Sequence, residues 1–485
     1  MSGIFAGQWV GRHWFTLWVA ALAAIFLTVA VTNLIAGYHA ANIPHVVTRY
    51  EGFVYDGIIG LLRGEDLYPA WHEQLYRYHV YNPLTYLPSA WLANSPDEAL
   101  LIGRLISWGA AIALAGLIAW WTYRVSGAVT AGVVFGLFFT VFGLVAPDFF
   151  RLRPESLAML IGFFGWCLVA VEKRISLSVV ALCCVAAFAV KQSYVLLPAV
   201  IFCGLCAQRR WSDALRFSLY MAAGLSVLYL AMWGIWGGAS FQHTLLAMGS
   251  NELTPVDHFG YYAPMLFQRY PGFWLAAIVA AFWAVGARSA PTLLRISLPL
   301  SLVWTFIIAG KAGASDSYFG ELLVLLLFAL GFAMGSAPRG VKLVILCVLS
   351  VQAWQSGKVW IEQGATVVAQ YEDRGMPVRQ YADHYRESAG PILLVDERLS
   401  IQSQRVVAFD WFLLDILQRS GRIKLEPLFE KILGGEYSLI VFDQTAETPL
   451  ERHLYQLTRR GPYRRTASNQ YISEWTKIPV ALNNQ

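Results

Sequence analysis

The chain has 485 residues, of which 57% are hydrophobic and only 14% are charged. A mean hydropathy of +0.50 is too high for a soluble globular protein, so the sequence predicts a membrane protein. The net charge of +5 is small for this length and no basic run is present, which argues against a nucleic-acid partner. All six cysteines fall inside apolar stretches, so no disulfide framework is expected.

Apolar stretches that approach the thickness of a bilayer recur along the chain and predict about eleven transmembrane helices. They lie near 14–36, 99–122, 127–146, 155–171, 176–190, 193–208, 214–236, 271–287, 293–309, 320–335 and 341–356. The first is too long and too late for a cleaved signal peptide. Residues 1–356 are therefore predicted to form a polytopic α-helical membrane domain.

Lysines and arginines in the short loops predict the orientation, because these residues accumulate on the cytoplasmic side of membrane proteins. Most of them fall on one side of the predicted helices. The opposite, outer side then receives the long loops at 37–97 and 237–270 and the turns at 147–154 and 310–319. Because the number of predicted helices is odd, the tail at 357–485 is expected on the outer side too.

The tail has the sequence pattern of a small α/β domain. Apolar runs of strand length at 392–395 and 438–442 alternate with helix-like stretches at 404–419 and 447–460, and a last strand is predicted near 468–475. No G-x-G-x-x-G motif follows a strand, so a nucleotide site is not predicted there. We expect an extracytoplasmic domain packed on the membrane surface.

The first outer loop contains a predicted helix at 46–63 that carries two acids. At 100° per residue, Glu51 falls in the middle of the apolar face, where burial raises the pKa of a carboxyl and suits it to act as a general base. Asp56 falls on the opposite face and is expected to face water or an arginine. If the helix begins only at Gly52, Glu51 is instead an N-terminal cap residue.

Tyrosine and tryptophan side chains are frequent in the same loop, and Tyr55 and Tyr81 are two of them. Such rings either anchor a loop in the headgroup zone of the bilayer or stack on a sugar. The sequence leaves both roles open for each ring.

Four cations lie in outer turns, against the positive-inside trend: Arg151, Arg153, Lys191 and Lys311. Long basic side chains can snorkel toward headgroups, which is the structural alternative for any one of them. Four on the same side favour a bound anion, such as a lipid phosphate.

Lys311 belongs to a glycine-rich turn that also holds Asp316, Tyr318 and Glu321. Glycine lets the backbone approach a ligand closely. The spacing is not that of a P-loop. Two interpretations are open for the acids of this turn and for Asp148 and Glu155: they are metal ligands or ordinary interface residues. The sequence therefore does not define whether a metal is needed.

Several motifs together resemble the GT-C superfamily, the multi-spanning glycosyltransferases that use lipid-phosphate-linked sugars. They are Tyr50-Glu51-Gly52, Gly64–Pro69, Tyr81-Asn82-Pro83-Leu84, Arg153-Pro154-Glu155-Ser156-Leu157, Lys191-Gln192 and Gly313–Glu321. The pattern looks like bacterial members related to aminoarabinose and mannosyl transferases, and it covers about residues 14–335.

The resemblance implies that Glu51 is the catalytic acid/base. Relatives often carry paired acids at this position, whereas Glu51 stands beside Tyr50 and Gly52. This departure keeps Asp56 as the alternative base and admits a divalent cation without requiring one.

The same four cations, Arg151, Arg153, Lys191 or Lys311, are the candidates to bind the donor phosphate and stabilise its charge as it departs. Substrate contacts are expected from Tyr55, Tyr81, Asp316, Tyr318 and Glu321.

The predicted function is transfer of a hexosyl or pentosyl group from a polyprenyl-phosphate donor to a glycolipid, polysaccharide or protein acceptor. The expected location is the bacterial inner membrane, with the site on the periplasmic face. A flippase or transporter of lipid-linked saccharides is the alternative, although the repeated halves and mid-membrane charges of transporters are not evident in the sequence. An envelope scaffold would explain the tail but not a carboxylate on an apolar face.

Overall fold

A computed structural model describes most of the chain. The described residues are 2–46, 48–70, 78–145, 151–171, 176–247, 249–250, 252–311, 314–387, 390–395, 403, 411–443, 449–468 and 472–477. They form two compact units, each assembled from separate stretches of the chain. Unit 1 comprises Met1–Asn42, Gly103–Leu230 and Leu253–Ala369, and unit 2 comprises Ile43–Ile102, Ala231–Glu252 and Gln370–Gln485.

Helices make up most of the described chain. The first nine are α1 Ser2–Ala41, α2 Arg49–Leu62, α3 Leu87–Leu92, α4 Pro96–Ser126, α5 Ala128–Val145, α6 Glu155–Val171, α7 Leu177–Val190, α8 Leu196–Ala207 and α9 Trp211–Trp236. The next six are α10 Ala239–Phe241, α11 Pro255–Arg269, α12 Pro271–Gly286, α13 Thr292–Ala309, α14 Gly320–Ser336 and α15 Arg339–Glu387. A π-helical stretch, Gln242–Ala247, continues α10, and 3-10 turns occupy Pro83–Thr85 and Asp316–Phe319.

Each apolar stretch that was predicted to cross the membrane coincides with one of these helices. Among the described residues, six helices are long and apolar enough to span a bilayer, and the bent pair α11 and α12 would make a seventh span. Four shorter apolar helices, α5 to α8, complete the set. The predicted class, a polytopic α-helical membrane protein with a small C-terminal α/β domain, is confirmed.

Helices α1 and α5 approach each other closely in unit 1 because α5 carries glycines on the facing side. A Cβ added to Gly136 would lie 2.5 Å from the backbone carbonyl carbon of Phe26, whereas one added to Gly132 would meet its nearest neighbours at 3.6 Å. Small residues four positions apart commonly permit such close contacts between membrane helices. Phe26 is fully buried at this contact.

Helix α15 extends well beyond the predicted end of the last membrane span. The apolar pattern ends near residue 356, but the helix continues to Glu387. Hydropathy reports how much of a helix suits the bilayer, whereas backbone hydrogen bonding continues once the sequence becomes polar. A domain boundary after residue 356 therefore stays a prediction.

The C-terminal part of unit 2 contains a four-stranded sheet. Its strands are β1 Ile392–Leu394, β2 Leu439–Asp443, β3 Tyr463–Ser468 and β4 Ile472–Lys477. They lie in the order β1-β2-β4-β3, with β1 parallel to β2 and the other pairs antiparallel. The helices that accompany them are α16 Trp411–Arg419, α17 Glu426–Leu433 and α18 Pro449–Arg460.

Two predictions for the tail need correction. The single last strand expected near 468–475 is a hairpin formed by β3 and β4. Helix α17 was not predicted, because its eight residues form only about two turns, which is too short to show a clear helical repeat of apolar residues. The predicted helix at 404–419 is described only from Trp411 onward, and residues 404–410 lie outside the described residues.

The core beneath this sheet includes a residue from the first loop. Tyr78, which precedes the sheet by more than 300 residues, is buried in the same cluster as Leu393, Leu414, Ile432 and Ile440. Unit 2 is therefore held together by contacts that are remote in sequence.

Candidate functional site

Helix α2 holds Glu51 in its first turn. Thr48 is the N-cap, and its hydroxyl accepts a hydrogen bond from the backbone N–H of Glu51 at 3.3 Å. The pattern Thr48-x-x-Glu51 is that of a capping box. Because the helix begins at Arg49, the alternative start at Gly52 is wrong, and Glu51 is 0% exposed.

The apolar face predicted around Glu51 is present. Val54, Tyr55 and Ile58 are all buried with it. Asp56 was expected to face water or an arginine, and the first alternative is wrong because its side chain is only 12% exposed. The helical periodicity of the sequence assigns Glu51 and Asp56 to different faces of α2. It does not show that other parts of unit 2 cover both faces.

His79 is a buried partner of Asp56. Its Nε2 lies 3.1 Å from Asp56 Oδ2, and its Nδ1 donates to the backbone carbonyl of Leu67. A carbonyl oxygen can only accept, so Nδ1 carries a proton. Both ring nitrogens of His79 are therefore engaged, one by a backbone carbonyl and one by the Asp56 carboxylate.

A second buried histidine, His243, orders the same loop. Its Nδ1 accepts a hydrogen bond from the backbone N–H of His79 at 3.1 Å, and its Nε2 donates to the carbonyl of Pro69 at 2.8 Å. Burial and the positive charge of nearby His79 lower the pKa of His243 to about 3. The imidazole is therefore neutral, as its hydrogen bonds require.

Tyrosines fix the loop between Tyr68 and Tyr86. The Tyr68 hydroxyl donates to the carbonyl of Tyr81 at 2.7 Å, and the Tyr86 hydroxyl accepts from the Tyr81 N–H at 3.3 Å. Burial raises the pKa of Tyr86, so it remains protonated. Tyr81 is half-buried, but Tyr55 is only 2% exposed and presents little ring surface to a sugar.

Unit 1 contains a buried cluster of opposite charges at the start of α6. Glu155 Oε1 accepts from Arg153 Nη2 at 2.9 Å and from Lys191 Nζ at 2.6 Å. All three side chains are at most 4% exposed. Two of the four predicted cations therefore share Glu155 as a counter-ion.

The packing of α6 against α7 assembles this cluster. Glu155 is the first residue of α6 and Lys191 is the C-cap of α7. Ser107 holds the turn before α6, because its hydroxyl donates to the carbonyl of Arg153 at 3.0 Å and accepts from the Arg153 N–H at 3.3 Å. The Tyr194 hydroxyl donates to the carbonyl of Glu155 at 3.3 Å.

The glycine-rich turn before α14 borders the same cluster. Lys191 Nζ lies 4.8 Å from the centre of the Tyr318 ring, a cation–π distance. Glu321 is buried in the first turn of α14 and interacts electrostatically with Lys191. Lys311 is half-buried, and burial together with the charge of Lys191 lowers the pKa of its ammonium group.

Residues before and within α11 support the turn that carries Lys311. The Thr254 N–H donates to the carbonyl of Gly310 at 2.8 Å, and the Tyr262 hydroxyl donates to the carbonyl of Ala314 at 2.7 Å. Gly310 is required by this close approach, since an added Cβ would lie 2.3 Å from the Cα of Pro255.

The structure thus brings together some of the predicted residues and adds others. Arg153, Lys191, Lys311, Tyr318 and Glu321 form one group in unit 1, while Arg151 and Asp316 are half-buried in the turns beside it. Sequence reasoning missed Glu155 as the shared counter-ion and missed both buried histidines. An acid at the first position of an apolar helix, next to Arg153, was the available signal for Glu155.

Metal binding receives no support from side-chain grouping in the described part of the chain. Within those residues, no group of three or more His, Cys, Asp or Glu side chains could hold a metal ion. Asp148 lies outside them.

Comparison with solved structures identifies the fold. ArnT from Cupriavidus metallidurans bound to undecaprenyl phosphate matches with a TM-score of 0.60 and 11% identity, over 95% of this chain and 99% of that one. Its apo state matches with a TM-score of 0.62 and 11% identity, over 94% and 97%. The Archaeoglobus fulgidus oligosaccharyltransferase tethered to an acceptor peptide gives a TM-score of 0.48 and 9% identity, over 98% and 76%.

No protein-family model matches the sequence, and no curated protein matches it. The two ArnT structures share the fold of this chain over nearly its whole length, which agrees with the fold class that the resemblance implied.

Proposed function

We propose that this chain, which has the GT-C fold, is a membrane glycosyltransferase that takes its sugar from a polyprenyl-phosphate-linked donor. The observation that carries the proposal is the buried Arg153–Glu155–Lys191 cluster, in which two basic side chains converge on one carboxylate. Arginine and lysine side chains are the usual protein ligands of a phosphate group. A lipid-linked phosphate supplies such a group, and ArnT was solved with undecaprenyl phosphate bound.

The cationic cluster would stabilise the leaving group of the transfer reaction. As the bond between the anomeric carbon and the phosphate oxygen breaks, negative charge accumulates on the phosphate. Preorganised donors in a water-poor site stabilise such developing charge more effectively than water does. Arg153 and Lys191 supply these donors, and Lys311 and Arg151 extend the positive surface beside them.

Glu51 is proposed as the base that removes the proton from the acceptor hydroxyl. It is 0% exposed and lies on the apolar face of α2 with Val54 and Ile58. Asp56 remains the alternative, because its side chain is slightly more exposed and lies 3.1 Å from the Nε2 of His79. Tyr81, Asp316, Tyr318 and Glu321 are proposed to contact the substrates.

The proposed setting is the bacterial inner membrane with the site on its periplasmic face, where nucleotide sugars are scarce and a lipid carrier is the plausible donor. The acceptor belongs to the cell envelope and is a glycolipid, a polysaccharide or a protein. The transferred group is a hexose or a pentose.

Purified protein in nanodiscs, incubated with polyprenyl-phosphate sugars and envelope extract as acceptor, tests the proposal. We expect release of lipid phosphate, and a fall of about 10²- to 10⁴-fold for Glu51→Gln, because a positioned base contributes about that much. Asp56→Asn is the matched variant and should lose less. Retained turnover in Glu51→Gln with loss in Asp56→Asn would transfer the role to Asp56.

The same assay separates a transferase from a lipid-linked saccharide flippase. A flippase moves the donor between leaflets and leaves its sugar–phosphate bond intact. Movement of intact donor across the bilayer, without lipid phosphate at any acceptor tested, would reject the transferase proposal.

A further inference from the structure

The two oxygens of the Glu155 carboxylate differ in their hydrogen bonds. Oε1 accepts from both Arg153 and Lys191, at 2.9 and 2.6 Å. Oε2 is also buried, and among the described residues it has no hydrogen-bond partner. A structural counter-ion would be expected to have both oxygens satisfied, because a buried acceptor without a donor costs free energy.

Any phosphate that reaches Lys191 has to share it with Glu155. Lys191 is 3% exposed, and its ammonium group lies between the carboxylate and the Tyr318 ring. The half-buried Tyr318 ring is the more accessible of these two neighbours. A phosphate held by Arg153 and Lys191 would therefore lie close to a fixed negative charge, in surroundings where charges are weakly screened.

The reaction changes the charge of the phosphate. The donor is a phosphodiester with a charge of −1. When the acceptor hydroxyl gives its proton to the base and the anomeric C–O bond to phosphate breaks, the bonding electrons stay on the phosphate oxygen. The product is a phosphomonoester with a charge near −2 above its second pKa of about 6. A purely cationic site would bind this product more tightly than the donor.

We propose that Glu155 limits the charge that the phosphate site holds, so that the monoanionic donor binds and the dianionic lipid phosphate is released. This inference rests on the proposed function, because it concerns the same site. Glu155 acts here on specificity and product release and does not touch the reacting atoms. Its Oε2, which has no hydrogen-bond partner among the residues that the structure describes, repels the additional charge.

Binding of two matched ligands to the full-length protein in nanodiscs tests the inference without any assay of activity. The ligands are polyprenyl phosphate and its methyl ester, which share one chain and differ by one charge at pH 8. For the unaltered protein we expect the two dissociation constants to agree within about threefold. For Glu155→Gln, which retains an oxygen acceptor for both cations, we expect the monoester to bind at least about tenfold more tightly than the methyl ester.

Two further variants serve as controls for Glu155→Gln. Glu98→Gln replaces an exposed first-turn glutamate of α4 and should leave both dissociation constants unchanged. Lys191→Met should weaken both ligands together, because it removes a donor that either phosphate would use.

The outcomes distinguish the inference from the proposed function. If the unaltered protein binds neither ligand, the phosphate site itself is rejected, and the inference with it. If the unaltered protein already binds the monoester tenfold more tightly at pH 8, the site exists but Glu155 does not limit its charge. That second result needs no variant, so failure of Glu155→Gln to fold would still leave the inference testable.

Discussion

Glu155 and Asp56 are both buried acids, and they differ in how their charge is compensated. Glu155 lies against two basic side chains, Arg153 and Lys191. Asp56 lies against the imidazole of His79. The first acid therefore belongs to a cluster of ion pairs, whereas the second belongs to a pair with a buried histidine.

The neutral state of His243 predicts a specific pH dependence of stability. Its pKa is lowered to about 3 in the folded protein, so the unfolded chain takes up the proton more readily between about pH 3 and 6.5. Stability from this group is thus complete above pH 6.5 and is lost as the pH falls below it. From pH 7 to pH 5 we expect a loss of about 2 kcal/mol.

Thermal unfolding of the solubilised protein, followed at several pH values, measures this effect. His243→Gln should show a smaller decrease of the unfolding temperature between pH 7 and pH 5, because glutamine does not titrate. The exposed His453→Gln is the matched control and should leave the decrease unchanged. Equal decreases in all three proteins would contradict the prediction.

At the scale of elements, the close packing of membrane helices requires small residues where two helix backbones meet. Gly136 on α5 faces the backbone of Phe26 on α1, and an added methyl group would overlap it. Apolar helices have no hydrophobic reason to associate inside a bilayer, so close van der Waals contact is important. The α1–α5 pair is thus sensitive to a single methyl group.

We expect Gly136→Ala to destabilise the protein by about 1–3 kcal/mol, the usual range for overpacking. Gly132→Ala is the matched control, four residues earlier in the same helix. Its added Cβ would make ordinary contacts at 3.6 Å, and alanine favours helix, so the control should be neutral or slightly stabilising. The midpoint of thermal unfolding in one detergent compares the two, and equal midpoints would refute the packing argument.

For the whole molecule, the distribution of basic residues predicts that the first loop and the tail share the outer side. Cysteines placed at the exposed positions Asp66 and Ser420 test this in a Cys347→Ser background, since Cys347 is exposed. Both should react with a membrane-impermeant maleimide on intact cells. Arg288→Cys should react only after lysis, because Arg288 lies in a loop predicted to be cytoplasmic.

Labelling of Arg288→Cys on intact cells, together with protection of the other two cysteines, would reverse the orientation. A split between Asp66→Cys and Ser420→Cys would show instead that the number of membrane crossings between them is wrong.

The sequence by itself determined the class of this protein, because apolar stretches of bilayer length can form little else. It located the predicted membrane helices, the helix that carries Glu51, and the runs that became β1 and β2. These features depend on residues that are close in the chain, so hydropathy and periodicity report them directly. The extension of α15 and the hairpin of β3 and β4 were missed because polar segments carry weaker patterns.

Only the tertiary structure decided which charged groups meet. Glu155 and Lys191 are 36 residues apart, Asp56 and His79 are 23 apart, and His79 and His243 are 164 apart. The sequence marked Arg153 and Lys191 as unusual cations and predicted that Asp56 faces water or an arginine. It could not supply Glu155 as the shared counter-ion or His79 as the buried partner, because such pairs are fixed by the packing of helices and loops remote in sequence.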